Sequence, residues 1–340
     1  MIRIGQIGMA HDHAEGKMRT VRKYPEIFEV VGVVEENPEV LKKWGGYGCY
    51  QDLPQMSIDE LLNVPNLDAV MVETEELSLV KYAEKCIDQG IHIHLDKPAG
   101  GNVCDFEQLL FAAKRKKLTV QLAYMYRYNP AVQYCVEAIK SGKLGEIFRV
   151  QAIMNTYHPP KKRAWLKSFP GGNMFYLGCH MVDLVLLTMG IPLRVIPFNK
   201  ATGFDALAVT DLGFAVFEYE NGIATAEASS NEINGYGRRS LLVSGSKGTI
   251  EIRPLEGDYN SQPILYLALK EFTENREYTD CKSVIPMPPM PGRYDAMMID
   301  FAQIVKGIKE NPYSYEYELL VQKATLAASG LPVMVEAKNI

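Results

Sequence analysis

The sequence predicts an α/β protein in which a parallel-sheet part precedes an antiparallel α+β part. Up to about residue 124, short apolar runs alternate with helical patterns, and that order is typical of a parallel sheet with right-handed crossovers. Beyond that point the strands lengthen and alternate, and Asn221-Gly222 lies between two of them as a hairpin signal. We therefore expect two domains, over 1–123 and 124–340.

In the first part, strands and helices follow one another. The run at 30–35 is apolar almost throughout, as expected of a strand buried on both faces, and Ser57 with Glu60 forms a capping box that begins a short helix. The predicted strands cover 2–7, 30–35, 69–73, 91–95 and 119–124, and the predicted helices cover 12–24, 77–89 and 102–117.

In the second part, long alternating strands replace the short buried ones, and two amphipathic helices follow them. The predicted helices cover 130–141, 173–189, 294–309 and 315–329, and the predicted strands cover 147–155, 214–220, 223–229, 241–244 and 249–253.

Composition excludes several classes of protein. The chain has 340 residues, is 47% hydrophobic and carries a net charge of -5, which is ordinary for a globular protein and unlike a disordered or fibrous one. Without a basic excess we expect no nucleic-acid partner. No apolar run is as long as a membrane-spanning helix, and the first residues lack a signal-peptide pattern, so we expect no membrane partner and a cytoplasmic location. The six cysteines form no C-x-x-C pair and are expected to be buried apolar residues.

A loop that follows the first strand resembles a phosphate-binding turn. In such a turn, glycines permit a tight bend and a close approach of backbone to pyrophosphate. Here Gly8 is intact, Ala10 is a small replacement, and His13 stands in the third glycine position. The loop opens the first helix, where amide groups and the helix dipole favour a phosphate. An ordinary strand–helix turn is the alternative interpretation.

Two further groups lie at predicted strand ends. Glu35 ends the second strand, where a carboxylate can bind ribose hydroxyls and repel a 2′-phosphate, which favours NAD over NADP; ordinary solvated charge is the alternative. Asp96-Lys97-Pro98 follows the fourth strand, and Pro98 restrains the turn so that Lys97 is directed across the ligand crevice. Out of that context, a surface lysine is the default interpretation.

The histidines early in the chain do not predict a metal site. His92 and His94 alternate along a strand and point to one face, and His11 and His13 lie in the loop. Nothing in the pattern fixes them within ligand distance of one another, so we expect no metal ion.

Several segments, in order, resemble the glucose–fructose oxidoreductase / inositol dehydrogenase / MocA (Gfo/Idh/MocA) family. They are Gly8 with its turn, Glu35, 94–100 (HLDKPAG), 126–130 (YRYNP), 142–147 (GKLGEI), 171–184 (GGNMFYLGCHMVDL), 243–252 and 299–308. The resemblance covers nearly the whole chain. It implies a Rossmann domain that binds NAD or NADP and a second domain with an open, mostly antiparallel sheet, often used for dimer or tetramer contacts.

The resemblance also implies site residues. It places Lys97 near the nicotinamide and the reacting hydroxyl, and it gives His180 a role in proton transfer; a satisfied structural histidine is the alternative for His180. The residues expected to bind the cofactor are Gly8, Ala10, His11, Glu35, Asp96, Lys97, Pro98 and Arg127. Those expected to bind the substrate are Lys97, Tyr157, Trp165, Tyr176, His180 and Asp183.

One position departs from the family pattern. Tyr176 stands where members often have an aspartate, four residues before His180. Helical spacing puts Tyr176, His180 and Asp183 on one face, so Asp183 is a candidate to orient His180, unless it is a helix charge that faces elsewhere. Tyr157 and Trp165 lie in a polar, aromatic segment before this helix, which either covers a sugar or is a plain surface loop.

The sequence thus predicts an NAD-dependent oxidoreductase acting on a sugar, a polyol or a related hydroxy compound, assembled as a homodimer or homotetramer. Two alternatives stay open. One is the family's rarer use of retained NAD during glycoside cleavage. The other is a non-catalytic ligand-binding relative, which the altered loop and Tyr176 motivate.

Overall fold

The structure is a computed structural model that describes residues 1–256, 269–273, 282–287 and 290–336. By internal contacts the chain forms two compact units. Among the described residues, unit 1 comprises 1–125 and 291–319, and unit 2 comprises those between 126 and 290 together with 320–336. The domain ranges expected from the sequence, 1–123 and 124–340, stay a prediction.

Unit 1 is built on a parallel five-stranded sheet of order β2-β1-β3-β4-β5. The strands are β1 (Ile2–Ile7), β2 (Phe28–Val34), β3 (Ala69–Val72), β4 (His92–Leu95) and β5 (Val120–Leu122). Every residue of β3 is buried, as a central parallel strand requires. The predicted Rossmann-type α/β architecture is confirmed.

The predicted helices of unit 1 are present in order. The helices are α1 (Ala14–Lys23), α2 (Pro38–Trp44), α3 (Ile58–Leu62), α4 (Leu79–Asp88), α5 (Val103–Lys116) and, much later in the chain, α9 (Asp295–Val305). Of these, α2 is an additional helix that the sequence did not predict. The capping box of Ser57 and Glu60 is present at the start of α3. Lys23 and Tyr24, at the end of α1, both bond the carboxylate of Asp295, which fastens α9 to unit 1.

Unit 2 carries an open mixed sheet of order β13-β12-β11-β10-β6-β9-β8-β7 in the described residues. Only the β6–β9 pair is parallel among its described ladders, so the predicted mostly antiparallel sheet is confirmed. Its strands are β6 (Ile147–Ile153), β7 (Arg194–Pro197), β8 (Leu212–Tyr219), β9 (Gly222–Ser229), β10 (Ser240–Gly245), β11 (Gly248–Ile252), β12 (Leu269–Thr273) and β13 (Lys282–Ile285).

Helices cover one face of this sheet. The other helices are α6 (Pro130–Lys140), α7 (Pro160–Trp165), α8 (Cys179–Met189) and α10 (Tyr315–Ala328). The face under α8 buries Val150, Ala152, Phe217, Ala224 and Ala226. The opposite face carries Ile223, which is 54% exposed.

The β8–β9 hairpin is present, but its turn lies one residue earlier than predicted. Tyr219 pairs with Gly222, so Glu220 and Asn221 form the loop. A Cβ at Gly222 would lie 2.5 Å from the carbonyl oxygen of Phe148. The glycine is therefore required by close packing against the neighbouring strand rather than by the turn itself.

The helix predicted over 173–189 is two different helices. Met174–Gly178 is a turn of π-helix, and the α-helix α8 begins only at Cys179. Gly171 and Gly172 before it are both required to be glycine: each has positive φ, and a Cβ on Gly172 would lie 2.1 Å from the Thr210 carbonyl oxygen.

Most of the described cysteines fit the expectation of burial. Four are buried, whereas Cys104, in the first turn of α5, is exposed, and Cys281 lies outside the described residues. Across the part of the chain that the structure describes, no helix has both the length and the apolarity to cross a membrane.

Candidate functional site

Gly8 forms the tight turn that leads from β1 towards α1. Its φ is +90°, in the region that favours glycine, and a Cβ there would lie 2.7 Å from the backbone of Thr74. The Gly8 amide donates to the carbonyl oxygen of Val34 at 2.7 Å. The turn therefore lies at the carboxyl ends of β2 and β3, the edge at which parallel sheets bind ligands.

A pocket of about 280 Å³ opens beside this turn within unit 1. Its lining is Ile7, Gly8, Ala10, Val34, Glu35, Glu36, Asn37, Val40, Thr74, Glu75, Ser78 and Tyr82. Three of these lining residues are acidic and none is a lysine or an arginine. Such a pocket can accept hydrogen bonds from hydroxyl groups and disfavours an additional phosphate.

Glu35 ties the end of β2 to the loop. Its carboxylate accepts the Met9 amide at 2.7 Å and the Asn37 amide at 2.9 Å. Next to it, the Tyr82 hydroxyl donates to Glu36 at 2.8 Å, and burial together with that carboxylate raises the pKa of Tyr82 to about 12. The pocket thus combines an acidic strand end with a glycine turn, and this donor and acceptor set fits the ribose half of a dinucleotide.

Beneath the loop, Lys17 is fully buried between two carboxylates. Its Nζ lies 2.7 Å from Glu73 Oε1 and 2.7 Å from Asp96 Oδ2. Burial alone would raise the pKa of Asp96, but the nearby His11, Lys17 and His13 outweigh it and hold that pKa well below its usual range. Burial raises the pKa of Glu73 well above its usual range despite Lys17. Of the two carboxyl groups that contact Lys17, Asp96 is therefore the ionised one.

The structure brings His11, His13 and Asp96 together, which the sequence pattern did not predict. Their possible ligand atoms lie within 4.8 Å of one another, a spacing that a metal ion would accept. However, the Asp96 oxygens already accept bonds from the Lys17 ammonium and the Lys97 amide. Burial lowers the pKa of His13 well below its usual value. The expectation of no metal ion stays a prediction.

The lysine turn is held by the same network. The Lys97 amide donates to Asp96 Oδ1 at 2.7 Å, and His11 Nε2 lies 3.3 Å from the Lys97 carbonyl oxygen. Lys97 is fully buried, and its peptide bond to Pro98 is cis. Asp96, expected to bind the cofactor, thus uses its carboxylate to organise the loop and the turn.

In unit 2, Arg127 and Asp183 bind each other. Arg127 Nε lies 3.0 Å from both carboxylate oxygens, its Nη2 lies 2.8 Å from Oδ1, and both side chains are 1% exposed. The sequence assigned Arg127 to the cofactor and Asp183 to the substrate or to His180. Their direct pairing, 56 residues apart in the chain, was not predicted.

His180 lies in the first turn of α8 and is 1% exposed. Its ring packs edge-on against Tyr126, with ring centroids 5.3 Å apart. The Tyr126 hydroxyl donates to Glu256 at 2.5 Å, and Arg239 pairs with the same carboxylate. Tyr126 and Arg127, adjacent in sequence, therefore contact two residues one turn apart on α8, His180 and Asp183.

Tyr176 lies in a buried aromatic cluster. Its ring stacks on Phe169 at 5.9 Å, meets Trp165 edge-on at 5.1 Å and lies near His158. The Lys162 ammonium lies over the rings of Trp165 and Tyr176, 3.7 Å and 4.9 Å from their centroids.

The π-helical turn undermines the spacing argument for this cluster. Tyr176 lies inside Met174–Gly178, so an α-helical i, i+4 rule does not relate it to His180. Tyr157, also expected to bind substrate, is 59% exposed and bridges to Asn231.

Sequence reasoning missed Lys17 and Glu73. Lys17 lies three residues after Ala14 and four before Val21, within the apolar stripe of α1, and a lysine there needs buried partners. Glu73 directly follows the apolar strand β3, at the ligand edge of the sheet. These two signals together could have indicated a lysine buried against carboxyl groups at this edge of the sheet.

Two family models match the chain. Residues 2–124 match the oxidoreductase family with an NAD-binding Rossmann fold, and residues 132–251 match the GFO/IDH/MocA C-terminal domain. The uncharacterised oxidoreductase YhhX of Escherichia coli is 32% identical over 136 residues, which are 40% of this chain and 39% of that protein. A second curated relative is matched over 42% of its length, so the chain spans about two-fifths of these relatives.

Solved structures share the fold over nearly the whole chain. A putative NADPH-dependent oxidoreductase from Desulfitobacterium hafniense has a TM-score of 0.83 at 17% identity, over 97% of this chain and 94% of that one. Levoglucosan dehydrogenase, in complex with NADH and levoglucosan, has a TM-score of 0.75 at 17% identity, over 97% of each chain. With both family models matched in order, this chain belongs to the Gfo/Idh/MocA family of oxidoreductases.

Proposed function

We propose that this protein is an NAD-dependent dehydrogenase that oxidises a CH–OH group of a sugar, a polyol or a related hydroxy compound. The observation that carries the proposal is the pocket beside Gly8, which joins a glycine turn to the carboxylate of Glu35. NAD is favoured over NADP because Glu35, Glu36 and Glu75 line this pocket without a compensating lysine or arginine among the lining residues.

The proposed substrate class draws on what relatives are named for. One solved structure of the same fold is levoglucosan dehydrogenase, and curated relatives include a scyllo-inositol 2-dehydrogenase and a trans-1,2-dihydrobenzene-1,2-diol dehydrogenase. Each of these names refers to a compound with hydroxyl groups on a ring. We take a cyclic polyol or sugar as the substrate class for this chain.

In the proposed reaction a carbinol becomes a carbonyl, and two electrons leave the carbon as hydride. Bound NAD supplies the hydride acceptor. His180 takes the hydroxyl proton, because an imidazole titrates near working pH. The Lys97 ammonium stabilises the negative charge that develops on the oxygen. These two roles are the ones that the family resemblance implies.

Titration calorimetry with NAD, NADH, NADP and NADPH tests the cofactor half of the proposal. Incubation with NAD and each member of a panel of sugars and polyols, with NADH formation followed by absorbance, tests the proposed substrate class. We expect NADH formation with at least one cyclic polyol or sugar. Binding of NAD without NADH from any member of the panel would instead support a non-catalytic relative, which Tyr176 in place of the usual aspartate motivates.

A further inference from the structure

We propose that His11 is a positioning residue that fixes the backbone of Lys97, so that the loop after β1 holds the turn after β4. We call the contacts of Asp96 with the Lys97 amide and of the His11 ring with the Lys97 carbonyl oxygen the clamp, and all of these residues lie in unit 1. The consequence of the clamp for turnover rests on the function proposed above.

His11 contacts the lysine turn through both ring nitrogens. Nδ1 lies 2.9 Å from Asp96 Oδ2, and Nε2 lies 3.3 Å from the Lys97 carbonyl oxygen and 3.6 Å from Glu76 Oε1. The ring is fully buried, so water does not compete for these contacts. These three partners are oxygen acceptors, and the His13 amide also points at Nδ1, donating at 3.3 Å.

Asp96 holds the other side of the same residue. Its Oδ1 accepts the Lys97 amide at 2.7 Å, and its Oδ2 accepts the Lys17 ammonium at 2.7 Å. The Lys97 backbone is thus fixed at its N–H by Asp96 and at its C=O by His11. Lys17 is itself held by Glu73. The Asp96 carboxylate therefore cannot turn away without breaking its buried ion pair with Lys17.

The loop is also fastened at its own end. The His11 amide donates to the carbonyl oxygen of Glu73 at 3.1 Å, so His11 is anchored to the end of β3 before its ring reaches Lys97. Where other dinucleotide-binding turns gain space from glycines, this loop uses an imidazole to connect strand ends. A fixed backbone at Lys97 restricts the positions that its side chain can reach, which is a condition for preorganised charge stabilisation by its ammonium group.

Two substitutions separate the two ring contacts. The amide nitrogen of glutamine reaches the position of a histidine Nε2, and that of asparagine reaches the position of Nδ1. His11→Gln therefore keeps the contact to the Lys97 carbonyl and His11→Asn keeps only the contact to Asp96. His92→Gln is the matched control, because His92 lies on β4 and its ring accepts the Thr119 amide outside this network.

Amide hydrogen exchange of the segment 96–101, followed by mass spectrometry, measures the clamp without substrate or cofactor. Loss of one hydrogen bond changes local opening by about fivefold. We expect His11→Asn and His11→Ala to exchange about fivefold faster than wild type, and His11→Gln and His92→Gln to match wild type. Equal rates for His11→Gln and His11→Asn would overturn the proposal, as would unchanged exchange in His11→Ala.

Turnover on an identified polyol then separates the clamp from the proposed function. If the clamp serves catalysis, His11→Asn lowers kcat about fivefold or more with little change in KM or in NAD affinity, and His11→Gln restores kcat. If His11→Asn and His11→Ala exchange faster as expected but the protein shows no dehydrogenase activity, the clamp is supported and the proposed function is rejected. The same exchange pattern with normal kcat in His11→Asn would reject the positioning role.

Discussion

Arg127 donates hydrogen bonds to both carboxylate oxygens of Asp183, and this bidentate pair is buried in unit 2. Asp183 lies one helical turn after His180, so this pair fixes the turn that carries Arg127 against the helix that carries the proposed base. The pair therefore contributes to the geometry around His180 even though neither partner needs to touch the substrate.

Breaking this pair should destabilise the protein strongly. Asp183→Asn removes the carboxylate charge that Arg127 binds, and breaking a buried ion pair of this kind costs about 3–5 kcal/mol of unfolding free energy in urea titrations. The double variant Arg127→Met with Asp183→Leu should recover most of that loss. Glu218→Gln is the control: it removes an exposed partner of Arg194 and should change stability by less than about 1 kcal/mol. Equal small effects at both sites would contradict the argument.

Cofactor choice should follow the acidic pocket. We expect the wild-type protein to bind NAD(H) more tightly than NADP(H), and Glu35→Ser to narrow that gap because it removes a carboxylate that repels a 2′-phosphate. Calorimetric titration measures both affinities. Glu26→Ser removes an exposed acid that does not line the pocket and should leave the ratio unchanged. If the wild-type protein binds NADP(H) as tightly as NAD(H), or more tightly, the prediction is wrong.

Stability should fall in mild acid because of His94. Burial is the main cause that lowers the pKa of His94 to about 3; Lys17 lowers it further, while Gln121 and Asp96 act in the opposite direction. The native ring is therefore neutral while the unfolded ring takes a proton below its ordinary pKa of about 6.5. Stability is lost as the pH falls from that value towards 3. At pH 5 this single group removes about 2 kcal/mol of unfolding free energy.

Urea unfolding at pH 8 and pH 5 checks this effect. His94→Asn should reduce the loss between the two pH values by about 2 kcal/mol. Phe301→Leu alters the ring packed against His94 at 5.6 Å without removing the titrating group, so it should lower stability and keep the pH dependence. The same pH dependence in wild type and His94→Asn counts against the assignment.

Self-association should use the sheet face of unit 2 that lies opposite α8. Ile223 is 54% exposed there, beside Arg149 and Glu218 on neighbouring strands, and exposed apolar side chains on a wide sheet favour a partner. We expect light scattering to give a dimer or tetramer at micromolar concentration and Ile223→Asp to reduce its mass. Ile308→Asp, at an exposed position of unit 1, is the control. A wild-type monomer contradicts the prediction.

Local patterns in the sequence predicted the fold well because they act over short distances. Apolar runs bounded by helical patterns located the strands of unit 1, and Ser57 with Glu60 located α3. The hairpin turn was placed wrongly because Gly222 is a glycine for a distant reason, its approach to Phe148. The π-helical turn was missed because its residues have the same apolar character as those of an α-helix.

The candidate site was predicted less completely because its contacts join distant segments. Gly8, Glu35 and Lys97 could be recognised from their places at strand ends. The pairing of Arg127 with Asp183 and the burial of Lys17 between Glu73 and Asp96 depend on side chains from separate elements. Spacing along one helix or strand carries no information about such partners.

Turnover per folded molecule tests the central claim most directly. On a polyol or sugar that yields NADH, Lys97→Ala should lower kcat by about 10²–10³ and His180→Ala by about 10²–10⁴, since one loses a preorganised charge and the other a general base. NAD affinity should change little in either variant, and His92→Gln should behave like wild type. If both alanine variants retain more than about a tenth of wild-type turnover, outside those ranges, Lys97 and His180 do not carry the reaction.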